Sequence, residues 1–260
     1  MNDRDESIIE ARKRGQSLRA IAMEHGVSAT TVQRICRDAE ADSTATLAEP
    51  LRVYLGWDDA LVEPCEVARY SLLANAGGKV DAHLLDDDIC GGFVRRGVTK
   101  FSYRRFLVPH LCDYRGRALF ADGADTLILG DVTELANLDM GGKAILRVRH
   151  EPPRGQDRAR ADTAVMLMDC TRCVAWTPKV AAESPDDRLM RLRDFADDDL
   201  GDLPAEWNVP CRPGEEPPPG TKLAHWGCIA PLCPVGAGDW IDFSRSTTWA
   251  GWRAQMRSAD

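Results

Sequence analysis

Beyond residue 50 the apolar residues come in runs of strand length, each broken by glycine or charge, and these runs alternate with stretches of helical spacing. A strand over 51–55 ends in Gly56-Trp57-Asp58-Asp59, a helix over 62–76 is stopped by Gly77-Gly78, and a second strand covers 80–85. Strand, helix and strand in that order predict a parallel sheet with right-handed crossovers, hence an α/β domain. Residues 99–111 read as a helix. Over 118–132 a buried strand breaks at Asp122-Gly123-Ala124-Asp125, resumes as a second apolar run and closes at Gly130-Asp131. Strands over 143–148 and 164–169 flank a Pro- and Arg-rich loop at 151–160; a helix is expected over 189–195 and a loop over 211–220.

Residues 1–40 follow a different rhythm. Ile8, Ile9 and Ala11 give one short helix, broken by Gly15-Gln16-Ser17. Ser17 caps a second helix over 18–25, Gly26 turns the chain, and Ser28 caps a third over 29–38 with Val32 and Ile35 inward. This all-α spacing resembles the DNA-binding helix-turn-helix of resolvase and invertase recombinases and of many small regulators. The resemblance leaves Thr30, Thr31, Gln33, Arg34 and Arg37 to face DNA, Arg and Gln for base edges and Thr for phosphate. The alternative is a three-helix cap that mediates protein contacts. Residues 41–50 lack apolar periodicity and read as a linker, so the expected organisation is helix-turn-helix over 1–40, linker over 41–50 and α/β domain over 51–260.

Composition narrows the function classes. The 260 residues carry a net charge of −8, and 1–40 hold seven basic and seven acidic side chains, so the acidity lies wholly in the larger part. Coating of nucleic acid or anionic membrane by bulk charge is thereby disfavoured. The opening Met1-Asn2-Asp3-Arg4-Asp5 is unlike a signal peptide, and no apolar run approaches the roughly 20 residues of a membrane span. A cytoplasmic protein with reduced thiols is expected, nine cysteines being an odd number.

The chemistry concentrates at Asp122 and Asp125. Carboxylates at the C-terminal edge of a buried strand sit where open α/β sheets bind ligands, and two such groups can share one divalent cation; the bland alternative is an ordinary surface turn. Gly56 leaves room at the end of the first strand, but neither a G-x-G-x-x-G nor a P-loop lysine motif occurs. A nucleophile elbow G-x-S-x-G is likewise missing. Cys170, Cys173, Cys228 and Cys233 offer four thiols, a rival structural zinc site.

Taken in order, Gly56-Trp57-Asp58, Ser102-Tyr103-Arg104-Arg105-Phe106, the loop from Asp122 to Asp125 with Leu129-Gly130-Asp131-Val132, then Leu203-Pro204-Ala205-Glu206-Trp207-Asn208 and His225 before Pro231, resemble the retaining glycosyltransferases of the glycogenin and lipopolysaccharide galactosyltransferase group. The resemblance implies a GT-A fold and a Mn²⁺ or Mg²⁺ ion held by Asp122, Asp125 and His225 against the diphosphate of a nucleotide sugar, expected to be a UDP-sugar. It places Gly56, Trp57 and Asp58 by the nucleoside, Arg105 by the phosphates or donor sugar, and Trp207 and Asn208 by the sugar pocket. Asp162 is the nominated nucleophile, set against a front-face mechanism without one, which is the favoured case. The family's Asp-x-Asp is stretched here to Asp122-x-x-Asp125, and its lysine after the histidine is missing, with Lys222 as the stand-in. The pairing with a helix-turn-helix suggests an acceptor in DNA, such as the hydroxymethyl group of a modified base in phage-type DNA. Alternatives are a glycan, protein or lipid headgroup acceptor, or a DNA-binding regulator whose degenerate domain senses a nucleotide sugar.

Overall fold

The structure, a computed structural model, describes residues 3–13, 16–28, 31–32, 35, 50–78, 80–149, 163–211, 215–226 and 246–259. The chain divides into two compact units, Met1–Glu49 and Pro50–Asp260.

In the first unit, α1 (Asp3–Lys13) and α2 (Leu18–Glu24) pack through Ile8, Ala11, Ile21 and Ala22 together with Val32 and Ile35. Ser17 caps α2, its hydroxyl accepting the Ala20 amide at 3.2 Å. Ser28 likewise accepts the Thr31 amide at 3.0 Å, and Val32 donates to the Ser28 carbonyl, so a helical turn starts there. Of the residues expected to face DNA, Thr31 is described; Thr30, Gln33, Arg34 and Arg37 lie outside the described residues.

The second unit is built on β1 (Leu51–Gly56), β2 (Val80–Leu85), β3 (Arg117–Ala121), β4 (Thr126–Ile128), β5 (Ile145–Arg147), β6 (Val165–Asp169), β7 (Leu200–Asp202), β8 (Val209–Pro210) and β9 (Leu223–His225). Six strands form the main sheet in the order β2-β1-β3-β6-β5-β7, all in one direction except β6; β4, β9 and β8 form a second, three-stranded sheet. The period of two in the sequence sorts the core. Leu51, Val53, Leu55, Leu119, Ala121, Val165 and Leu167 join one apolar cluster, while Tyr54, Ala118, Phe120, Met166 and Met168 join another. A central sheet buried on both faces follows, as crossover connections require.

The helices of this unit are α3 (Val62–Asn75), α4 (Phe101–Arg104), α5 (Val108–Leu111), α6 (Pro178–Glu183), α7 (Asp186–Met190) and α8 (Thr247–Ala259). The single helix expected over 99–111 is α4 and α5 joined by a 3₁₀ turn, Arg105–Leu107, with Pro109 in the first turn of α5. The helix expected over 189–195 ends earlier, at Met190. Leu192 takes a left-handed φ of 54°, and the Arg193 amide donates back to the Arg188 carbonyl at 2.9 Å, a terminating turn that apolar spacing does not reveal. No described helix is long and apolar enough to cross a membrane.

Candidate metal centre

The acidic turn is held against the end of β1 by two glycines. A Cβ on Gly123 would overlap the carbonyl oxygen of Gly56, and one on Gly56 would stand 2.6 Å from the Phe101 ring. Backbone therefore meets backbone where β1 stops. The Asp122 amide donates to the Ala164 carbonyl at 2.9 Å, and the Thr126 hydroxyl donates back to the Asp122 carbonyl, closing the turn. From there β4 pairs antiparallel with β9, opposing Thr126 to His225, and the Trp226 amide donates to the Asp125 carbonyl at 2.8 Å. That ladder brings a histidine from the far end of the chain to the two aspartates.

The result is a compact ligand set. One atom from each of Asp122, Asp125 and His225 lies within 4.8 Å of the others, and among the described residues this group alone gathers three such side chains. His225 Nε2 is 3.4 Å from Asp125 Oδ2, and Arg105 Nη2 is 2.9 Å from Asp122 Oδ1. The Asp122 and Asp125 side chains are only 13% and 17% exposed, yet Oδ1 of each lacks a hydrogen-bond partner. Orphaned, buried carboxylate oxygens beside an imidazole nitrogen fit a hard divalent cation such as Mg²⁺ or Mn²⁺.

Protonation tells the same story. Burial pushes the Asp122 carboxyl up to about 6; Arg105 pulls it down, and the like charge of Asp125 adds to the rise. For His225 burial acts to lower the pKa, but the charge and hydrogen bond of Asp125 outweigh it, and the net direction is upward. Behind the ring, Asn208, 1% exposed, places Oδ1 2.9 Å from His225 Nδ1. With Nδ1–H donated to Asn208, the Nε2 lone pair is left for the carboxylate side, the usual arrangement of a ligating histidine. Asn208 thus sits behind the ligand set as its orienting partner.

The other expected residues take distinct places. Arg105, 6% exposed, is fixed by donation from Nη1 to the Thr163 carbonyl at 2.8 Å and lies 4.9 Å from the Phe120 ring centre. Asp58 uses both oxygens to fasten the start of the site: Oδ1 accepts the Ala60 amide and Oδ2 the Lys100 amide, at 3.0 and 2.8 Å. Trp57 is half-buried, its indole N–H donating to Asp59 at 2.9 Å. Lys222 pairs with Glu134 and lies 5.3 Å from the ring of the buried Trp207. Asp162 lies outside the described residues, as do Cys228 and Cys233; Cys170 and Cys173 are packed in the apolar core. The steric role of Gly123 and the orienting role of Asn208 had no signal in sequence spacing, because both arise from contacts between remote segments.

The fold is the GT-A fold of glycosyltransferases. The galactosyltransferase LgtC, solved in complex with donor and acceptor sugar analogs, superposes with a TM-score of 0.51 at 12% identity, covering 79% of this chain and 96% of its own. The glycosyltransferase GlyE of Streptococcus pneumoniae TIGR4 in its apo form gives 0.49 at 15% identity over 81% of this chain; the present chain spans 63% of that protein's length. In sequence, Protein CDI of Arabidopsis thaliana is 29% identical over 182 residues, 62% of this chain and 69% of its own. No protein-family model matches the chain.

Proposed function

We propose that the larger unit is a metal-dependent glycosyltransferase that moves a hexosyl group from a nucleotide sugar, a UDP-sugar in the favoured case, with retention of configuration. The observation that carries this reading is the largely buried set Asp122, Asp125 and His225 with its orphaned oxygens, placed where β1 and β3 end in a GT-A fold. Asp122 and Asp125 would hold Mn²⁺ or Mg²⁺ through carboxylate oxygens and His225 through Nε2. Such an ion supplies Lewis-acid charge that offsets the negative charge developing on a departing nucleoside diphosphate. Arg105, pinned by Thr163 and Asp122, adds a fixed cation beside the same leaving group. Trp57 and Asp58 border the nucleoside, and a front-face path needs no carboxylate nucleophile; Asp162 is the nominee if one acts. Asp125→Ala tests the reading: hydrolysis of UDP-glucose should require Mn²⁺ or Mg²⁺ and vanish in the variant. Binding without turnover under every metal would favour a nucleotide-sugar sensor instead.

For the acceptor we favour a hydroxymethylated base in DNA, delivered by a helix-turn-helix over residues 1–40. The two helices, the Ser28 cap and the buried Val32 and Ile35 support that motif. The base would have to leave the stack to reach the site. Labelled UDP-glucose offered with hydroxymethylated and with plain DNA tests it. Transfer to a glycan, protein or lipid headgroup with neither DNA labelled would overturn the DNA acceptor while leaving glycosyl transfer intact.

A further inference from the structure

A cavity of about 340 Å³ has a wall that includes Asp87, Phe93, Arg95, Arg96, Lys100 and Arg104. Four cations around one carboxylate are unexpected in a chain of net charge −8. Most of this charge has a local partner. Arg95 donates to Asp186 at 2.6 Å and to the Ser184 carbonyl at 2.6 Å, Lys100 reaches Asp59 and Asp87, and Arg104 pairs with Asp87 and donates to the Leu85 carbonyl at 2.9 Å. Setting Asp59, Asp87 and Asp186 against the four cations leaves one positive charge. Arg96 carries it: its side chain has no ion pair or hydrogen bond among the described residues. A second group is also left over, since Arg104 is 3% exposed and its Nε–H has no acceptor.

The placement is specific. Lys100, which precedes α4, and Arg104, which ends it, lie four residues apart on one helical stripe, while Phe101 and Arg105, the first residue of the 3₁₀ turn, lie on the next, turned by about 100°. The second stripe serves the metal centre, with Phe101 against Gly56 and Arg105 on Asp122. The first stripe opens into the cavity. Exposed Val94 and Val98, 87% and 67% accessible, flank Arg95 and Arg96 on the loop that forms its rim.

We propose that this cavity is a metal-independent subsite for a phosphate-class oxyanion, and that the group it holds belongs to the acceptor rather than to the nucleotide sugar. The subsite itself stands on the cavity and its unmatched donors; the acceptor assignment rests on the glycosyltransferase reading. A tetrahedral oxyanion would meet the planar guanidinium of Arg96 with two parallel donors and share the Lys100 and Arg104 side. The donor diphosphate is served separately, by Arg105 and the ligand set on the other stripe.

The test is calorimetric titration of the full chain with inorganic phosphate in EDTA at constant ionic strength, repeated with Arg96→Ala and Arg96→Lys, and then without EDTA in saturating UDP with Mg²⁺. Arg96 is exposed, so neither variant threatens folding. Expected are saturable phosphate binding, a loss of about tenfold in Arg96→Ala with partial recovery in Arg96→Lys, and no competition from UDP with Mg²⁺. No binding, or equal binding in Arg96→Ala, would overturn the subsite; competition by UDP with Mg²⁺ would overturn the acceptor assignment. A wild-type chain that bound phosphate but not UDP would fault the glycosyltransferase reading and leave the subsite standing.

Discussion

Asp87 and Asp122 each sit just past the C-terminal end of a parallel strand, β2 and β3, yet their surroundings treat the same carboxyl in opposite ways. Asp87 is 60% exposed and is claimed by Arg104 and Lys100, which hold it down to about 2. Asp122 is only 13% exposed, has one arginine at 2.9 Å without a hydrogen bond to Oδ1, and faces the like charge of Asp125, so it is pushed up to about 6. A carboxylate whose neighbours already neutralise it is a structural fastener. One that is largely buried with a like-charged neighbour and free lone pairs can accept a cation. Acidic residues at a sheet edge therefore point to a metal only where protein partners fail to satisfy them.

The contrast breaks most sharply under substitution. Asp125→Ala should weaken Mn²⁺ binding by at least about 100-fold, because it removes one of three ligands, whereas Asp87→Ala should leave it unchanged; titration calorimetry checks both. Asn208→Ala should cost about 10- to 100-fold in metal affinity by releasing the His225 tautomer, with ¹⁵N shifts of the ring showing Nδ1 no longer held protonated. Gly123→Ala should destabilise the unit by about 1–3 kcal/mol in denaturant melts, since its methyl meets the Gly56 carbonyl, while Gly251→Ala, in α8 with open space around it, should not.

Acid sharpens the comparison further. The folded-state pKa of Asp122 is raised, so its contribution to stability without metal is full below the ordinary aspartate range and is lost as pH rises through about 6. That of Asp87 is depressed, so its contribution is full above the ordinary range and is lost only as pH falls through about 2. Thermal melts with and without Mn²⁺ should hence diverge as pH climbs through 6, because the metal replaces the proton on Asp122. The smallest effect belongs to Glu216, which caps α8 by accepting the Thr247 and Thr248 amides at 2.5 and 3.1 Å. Glu216→Gln should cost about 1 kcal/mol and speed amide exchange in the first turn of α8.

Much of the GT-A sheet was legible because its strands obey simple periods. The run from Ala118 through Asp131 announced strand, turn and strand, and β3, the turn and β4 follow that reading. The grouping of Asp122, Asp125 and His225 was legible only through the ordered motifs, since no local pattern tells that Thr126 will oppose His225. Contacts made with a remote partner have no local signal in the sequence. Nothing near Lys222 in sequence announces its pairing with Glu134, and nothing near Asn208 announces the His225 ring against it. The cationic cavity has no sequence signature, because Arg95 and Arg96 lie on an irregular loop and Arg95 finds its partners at 181–186.

The most direct test of the account is a Mn²⁺ titration of the full chain, followed by the paramagnetic signal of the free ion, in wild type and Asp125→Ala at pH 7.5. One tight site in the wild type, lost in the variant and strengthened by UDP, is the predicted result. Equal binding in the two proteins, or none in either, would contradict a metal centre built from Asp122, Asp125 and His225.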